Sequence, residues 1–280
     1  MAQSHSVLHC RGRVLGLEQP IVMAVLNVTP DSFSDGGRFV RLDDAVARGV
    51  QMAEEGAAII DVGGESTRPG AEPVGLDEEL RRVVPVIARL RPRIQAVLSV
   101  DTSKPEVMHA AAAAGAAMIN DVRALRAPGA LEAAATTGCA VCLMHMLGDP
   151  RTMQDAPSYR DVVGEVRQFL EQRVAACRAE GLEAKRIVLD PGFGFGKTRQ
   201  HNLELLRRLG ELSVGGLPLL AGLSRKSMVG ALTGRPAGER IHGSIALAVV
   251  AALNGARILR AHDVAATVDA LKVVAALLNG

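Results

Sequence analysis

The chain has 280 residues, of which 48% are hydrophobic, 22% charged and 2% aromatic, with no tryptophan and a net charge of +2. This suits one globular domain spanning residues 1–280, while a nearly neutral chain with few rings offers neither the charge nor the stacking platforms that a nucleic-acid partner needs. The longest apolar run, Ile245 to Leu253, falls short of the about 20 residues that cross a bilayer, and the amino terminus has no basic region ahead of an apolar stretch, so the expectation is a cytoplasmic protein with no membrane partner.

In chain order, eight short apolar runs end in polar residues: Ile21 to Asn27, Ile59 to Asp61, Val97 to Asp101, Ala117 to Asn120, Val141 to His145, Ile187 to Asp190, Leu219 to Ser224 and Ile258 to Arg260. Helix-like segments lie between them, among them Leu42 to Glu55, Pro105 to Ala114, Val162 to Glu180 and Ile245 to Leu253. Strands buried on both faces read as continuous apolar runs, so eight β-then-α periods predict an α/β fold, a single (β/α)8 TIM barrel, which typically needs about 250 residues. A doubly wound open sheet would carry Gly-x-Gly-x-x-Gly after its first strand. Here that place is taken by Asn27-Val-Thr-Pro-Asp-Ser-Phe-Ser-Asp-Gly-Gly37, and a second long polar segment follows strand 2, so long loops are expected after strands 1 and 2.

Barrel enzymes assemble their sites at the carboxyl ends of the strands. The strand ends and the loops after them carry Asn27, Thr67, Arg68, Asp101, Asn120, Asp190, Lys226, Arg260 and His262. Asp101 and Asp190 are each open to a plainer reading as a helix cap or turn pin. With the amide of Asn120 and the cation of Lys226 they also suit the edge of a flat, nitrogen-rich heterocycle, gripped by charge-assisted hydrogen bonds. Arg260 and His262 are two apart and so share a strand face, where with Arg68 and Asn27 they suit a diphosphate and Mg2+, an ion that favours oxygen ligands.

Two other motifs carry less. Asp190-Pro-Gly-Phe-Gly-Phe-Gly-Lys197 has three residues between Gly192 and Gly196 where a Walker loop needs four, so its glycines are read as letting backbone pass close to a ligand. Cys139 and Cys142 have Cys-x-x-Cys spacing but lie in an extended run, so they point to opposite faces and are read as core thiols.

The segments Asn27 to Gly37 and Gly56-Ala-Ala-Ile-Ile-Asp-Val-Gly-Gly-Glu-Ser-Thr-Arg-Pro-Gly70 resemble the two signature segments of the dihydropteroate synthase family, which sulfonamides inhibit. Ser99 to Thr102, Ile119 to Asp121, Leu189 to Gly194, Ser224 to Ser227 and Arg260 to Asp263 match that family in order and at similar spacing. The resemblance implies condensation of 6-hydroxymethyl-7,8-dihydropterin diphosphate with 4-aminobenzoate. Carried over by motif, Asp101, Asn120, Asp190 and Lys226 would hold the pterin, and Asp101, Asp190 and Lys226 would serve catalysis. Thr67, Arg68, Arg260 and His262 would take the diphosphate, and Asn27 would ligate Mg2+. Phe33, Thr67, Arg68, Pro69, Phe195 and Ser227 would border the aminobenzoate, and a homodimer would be usual. Two alternatives stand beside this: a pterin-binding methyltransferase barrel, which has no use for a diphosphate site, and a non-catalytic pterin-binding barrel, which would have lost part of the charged mouth.

Overall fold

A computed structural model of the chain describes residues 6–29, 38–66, 72–149 and 152–279. Its centre is a closed barrel of eight parallel strands: β3 (Ile21–Asn27), β4 (Ile59–Gly63), β5 (Val97–Asp101), β6 (Met118–Asp121), β7 (Ala140–Met144), β8 (Ile187–Asp190), β9 (Leu219–Ala221) and β10 (Ala256–Ala261), with β10 returning to pair with β3. Each of the eight expected runs overlaps one of these strands. The surrounding helices are α1 (Arg38–Glu54), α2 (Leu76–Leu90), α3 (Pro105–Ala114), α4 (Ala130–Thr137), α5 (Val162–Ala179), α6 (Arg199–Arg207), α7 (Ser227–Thr233), α8 (Ile241–Leu253) and α9 (Val264–Asn279).

The strands lie between two kinds of core because successive side chains alternate across them. Outward residues such as Ile60, Val100, Ile119, Val141 and Leu189 pack against the helices in one continuous apolar layer. Inward residues change character with height. Met23, Ile59, Val97, Met118, Cys142, Val188 and Ile258 form a dry lower interior, and above them the same faces turn to Asp61, Ser99, Asp101, Asn120 and Asp190. Cys139 belongs to the outer layer and Cys142 to the inner one, as the extended-run argument requires, and all four cysteines are buried free thiols.

An antiparallel hairpin that the sequence reading left without structure precedes the barrel: β1 (Val7–Cys10) and β2 (Arg13–Gly16). Leu8, Cys10 and Leu17 insert into the lower interior and are at most 1% exposed, so the hairpin floors the amino-terminal end of the barrel. The carboxyl ends of the strands form the opposite end, where the expected site residues gather.

Candidate active site

Parallel pairing sets the first feature of that end. Asn27 stands opposite Gly63, Gly63 opposite Asp101, and Asp101 opposite Asn120, so three polar side chains and one glycine form a row across four neighbouring strands. A Cβ on Gly63 would lie 3.5 Å from Cβ of Asp101 and 3.7 Å from Oδ1 of Asn27, so the missing side chain leaves a shallow cradle between the carboxylate and the amide.

Below the row lies a charged network. Arg260, from β10, reaches across the barrel and donates from Nε to Oδ2 of Asp61 at 2.7 Å and from a terminal nitrogen to Oδ2 of Asp101 at 2.8 Å. Nδ2 of Asn120 donates to the same Asp61 oxygen at 2.9 Å, while Oδ1 of Asp61 is buried with no hydrogen-bond partner. Asp61 is fully buried and was not among the expected site residues. Burial pushes the Asp101 carboxyl up to about 7, with Arg260 pulling it down and Asp61 pushing it further up. For Arg260 burial works against the charge, but Asp61 and Asp101 keep it above the ordinary arginine range.

Asp190 closes β8 and accepts the amide of Gly192 on Oδ1 at 2.7 Å. The turn-pinning reading therefore holds for one of its oxygens. It fails for Asp101, because Lys104 rather than Asp101 occupies the cap of α3. Lys226 caps α7, donates to the carbonyl of Phe193 and rests its ammonium 4.7 Å from the centroid of Phe195. Burial draws Lys226 down to about 8, opposed by Asp190 and reinforced by Arg260. Ser227 opens α7 and is exposed.

His262 lies one residue past β10, and its Nδ1 is 3.1 Å from Oγ of Ser224. Arg260 and His262 thus make different contacts, the guanidinium turning into the barrel and the imidazole meeting the loop after β9. Phe33, Thr67, Arg68 and Pro69 lie outside the described residues. The described base of the second loop is tied down by Lys104, which bonds both Glu65, at 2.5 Å, and the fully buried Glu79.

The glycines after β8 correct one expectation. A Cβ on Gly192, whose φ is +68°, would fall 1.9 Å from the carbonyl oxygen of His145, and one on Gly196 would fall 2.6 Å from that of Leu147. These glycines let the loop pass close to the loop after β7 rather than to a ligand. Between the two loops sits Lys197, which is 3% exposed. Its Nζ is 2.9 Å from Nδ1 of His145 and 3.0 Å from the carbonyls of both Gly192 and Phe195.

Asp61 and Lys197 were each visible as letters. A carboxylate two residues after Ile59 in a strand shares its inward face, which is a readable signal. Lys197 stood in a failed nucleotide-loop pattern that offered no other role.

The residues present suit Mg2+ in a limited way. Among the described residues no group of three or more His, Cys, Asp or Glu side chains is placed to hold a metal, so the protein's share is small. One amide oxygen, Oδ1 of Asn27 at the mouth, fits an ion that takes oxygen ligands, keeps several waters and shares substrate phosphates.

Comparison with known proteins follows the same lines. Residues 23–262 match the family described as pterin binding enzyme. The chain is 54% identical over 272 residues to the dihydropteroate synthase of Escherichia coli K12, covering 97% of this chain and 96% of that protein. It superposes on the Xanthomonas albilineans dihydropteroate synthase solved with 4-aminobenzoic acid with a TM-score of 0.93 at 55% identity, covering 98% and 99% of the two chains. The same enzyme solved with 7,8-dihydropteroate gives a TM-score of 0.90 at 52% identity, again covering 98% and 99%.

Proposed function

Because the chain belongs to the dihydropteroate synthase family of pterin-binding enzymes, we propose a division of labour among the residues at its barrel mouth. The enzyme is a transferase that condenses 6-hydroxymethyl-7,8-dihydropterin diphosphate with 4-aminobenzoate in folate synthesis, giving 7,8-dihydropteroate and diphosphate. The methyltransferase and non-catalytic readings give way to this level of identity over nearly the whole chain.

The inward carboxylates and amide of β5, β6 and β8 carry the residue-level reading. Asp101, Asn120 and Asp190 are buried at the mouth, all above an apolar interior that pulls no water to them. In our reading they and Lys226 grip the pterin edge, carboxylates accepting from its N–H groups and the ammonium donating to its acceptors. Thr67, Arg68, Arg260 and His262 take the diphosphate, Arg260 through whatever donors remain beyond its two carboxylates. Phe195 and Ser227, with Phe33, Thr67, Arg68 and Pro69, border the aminobenzoate. Asn27 holds Mg2+, which when bound neutralises charge on the departing diphosphate.

The bond between the pterin methylene carbon and the diphosphate oxygen breaks, and the diphosphate leaves with the electron pair. The Asp101 carboxylate stabilises the positive charge that then spreads from the methylene into the pterin ring. The amine nitrogen of 4-aminobenzoate closes on the same carbon and loses one proton. An aryl amine attacking such a cation needs no strong base, which fits the lack of any Ser-His-Asp or Cys-His set at this mouth among the described residues.

Purified protein is expected to form dihydropteroate only when both substrates and Mg2+ are supplied, followed by chromatography. Pterin binding without product would overturn the catalytic assignment. A pH profile tests the residue roles. Asp101 accepts a proton as pH falls through about 7, and Lys226 loses one as pH rises through about 8. With both charged forms required, kcat/KM for the pterin substrate is expected to peak between those values and fall on either side. Lys226→Arg keeps its charge at every accessible pH, so the alkaline limb should vanish in initial rates taken from roughly pH 6 to 9, and its persistence would remove Lys226 from the pterin grip.

A homodimer is part of the same proposal. Val250 and Leu253 on α8 and Val273 and Leu277 on α9 are exposed apolar side chains on two helices that pack side by side, a face suited to a second copy. A cytoplasmic location is supported by four free thiols with no disulfide among them, and no described helix is long and apolar enough to cross a membrane.

A further inference from the structure

Side chains hold several peptide groups of the loop from Asp190 to Lys197. Gly192 N donates to Asp190 and Gly194 N to Oδ1 of Asn202, each at 2.7 Å. The carbonyl of Phe193 accepts from Lys226, that of Gly194 from Gln154, and that of Gly196 from the Tyr159 hydroxyl at 2.8 Å. The carbonyls of Gly192 and Phe195 both accept from Lys197, whose Nζ also meets the His145 ring. Nζ of Lys197 thus has three partners within 3.0 Å, with the carbonyl of His145 further off at 3.5 Å.

The position of this ammonium ties two strand ends together. His145 follows β7, while Gly192 and Phe195 follow β8, so removing Nζ uncouples the two loops at one point. His145 is able to accept because burial, with the Lys197 charge adding to it, holds the imidazole neutral by drawing it down to about 2. The ring of His145 is itself fixed edge-on against Phe169 at a centroid distance of 4.9 Å. On the other side, Phe195 presents its ring to the Lys226 ammonium, so the carbonyl that Lys197 grips belongs to a residue standing at the substrate mouth.

We propose that Lys197, braced by His145, is a positioning residue for the aminobenzoate half of the reaction, setting the height and tilt of Phe195 without touching either substrate. The proposal rests on the reading of Phe195 as part of the aminobenzoate border. The pterin grip should feel it less, because Asp101 and Asn120 sit on β5 and β6 outside this loop, and Asp190 and Lys226 meet it at Gly192 N and the Phe193 carbonyl, neither of which Lys197 holds. A side chain that only stabilised the fold would change the amount of active enzyme and leave the two substrates' constants alone.

The test is Lys197→Met, which keeps the length of the side chain and removes every donor. KM for 4-aminobenzoate is expected to rise about tenfold, with the Kd for dihydropterin diphosphate, measured without the amine, changing less than about threefold. Amide exchange at Gly194, Phe195 and Gly196 should quicken in the same variant. Tyr159→Phe combined with Gln154→Ala loosens the same loop from its other side while leaving Lys197 in place, and is expected to raise KM for the amine about threefold even if Lys197→Met fails to fold. A lowered kcat or melting temperature with both substrate constants unchanged, in either variant, would overturn the proposal. Failure of the wild-type protein to make dihydropteroate at all would instead count against the functional reading beneath it.

Discussion

Asp101→Asn is expected to lower kcat/KM by about a hundredfold to a thousandfold, the scale seen when one preorganised electrostatic partner of a developing charge is removed. The substitution changes little else. An asparagine oxygen still accepts from Arg260, and Arg260 keeps a full negative partner in Asp61 at 2.7 Å. The circular dichroism spectrum and melting curve should therefore stay near those of the parent while initial rates collapse. Near-normal turnover would remove Asp101 from the chemistry. The acid limb near pH 7 should also disappear from whatever activity remains, because the amide has no proton to gain in that range.

Arg260→Met should be the most destabilising single change, by about 3–5 kcal/mol, because it strips the partner from two buried carboxylates at once. Asp61 would keep only the Asn120 amide, on an oxygen that now receives two donors, with its other oxygen already unpartnered. The sign with pH follows from which form burial penalises. Burial already holds the Asp101 carboxyl up at about 7 and Arg260 pulls it down, so without Arg260 it rises further above its unfolded value, and stability present at low pH is lost as pH rises through the raised value. The urea midpoint of Arg260→Met is thus expected to be higher at about pH 5 than at about pH 7, and adding Asp61→Asn should recover part of the loss. A variant as stable as the parent at neutral pH would show that water reaches the network freely.

The barrel was legible because its strands are buried on both faces, so each appears as an unbroken apolar run that halts where the side chains meet solvent. Asn27, Asp101, Asn120 and Asp190 were legible for the same reason, being the first polar letters after those runs or their last ones. Asp61 ended its run in the same way but was not singled out, because its role rests on Arg260 and Asn120, which reach it from other strands. The hairpin escaped because strands of four residues carrying Arg13 and an exposed Val14 have no periodicity to read, and their apolar members find a purpose only against a closed barrel. Lys197 could not have been found from spacing, since two of its partners are carbonyls, the same in every sequence, and the third, His145, comes from another loop.

The hairpin floor has a consequence for traffic. A vessel sealed at one end fills and empties through the same opening, and in such a vessel whatever rests deepest must arrive before whatever covers it. On the proposed roles, the pterin residues Asp101, Asn120 and Asp190 lie at the strand ends and Phe195 and Ser227 lie beyond them, so the heterocycle is expected to enter first and the next cycle to wait until the finished molecule has cleared the same opening.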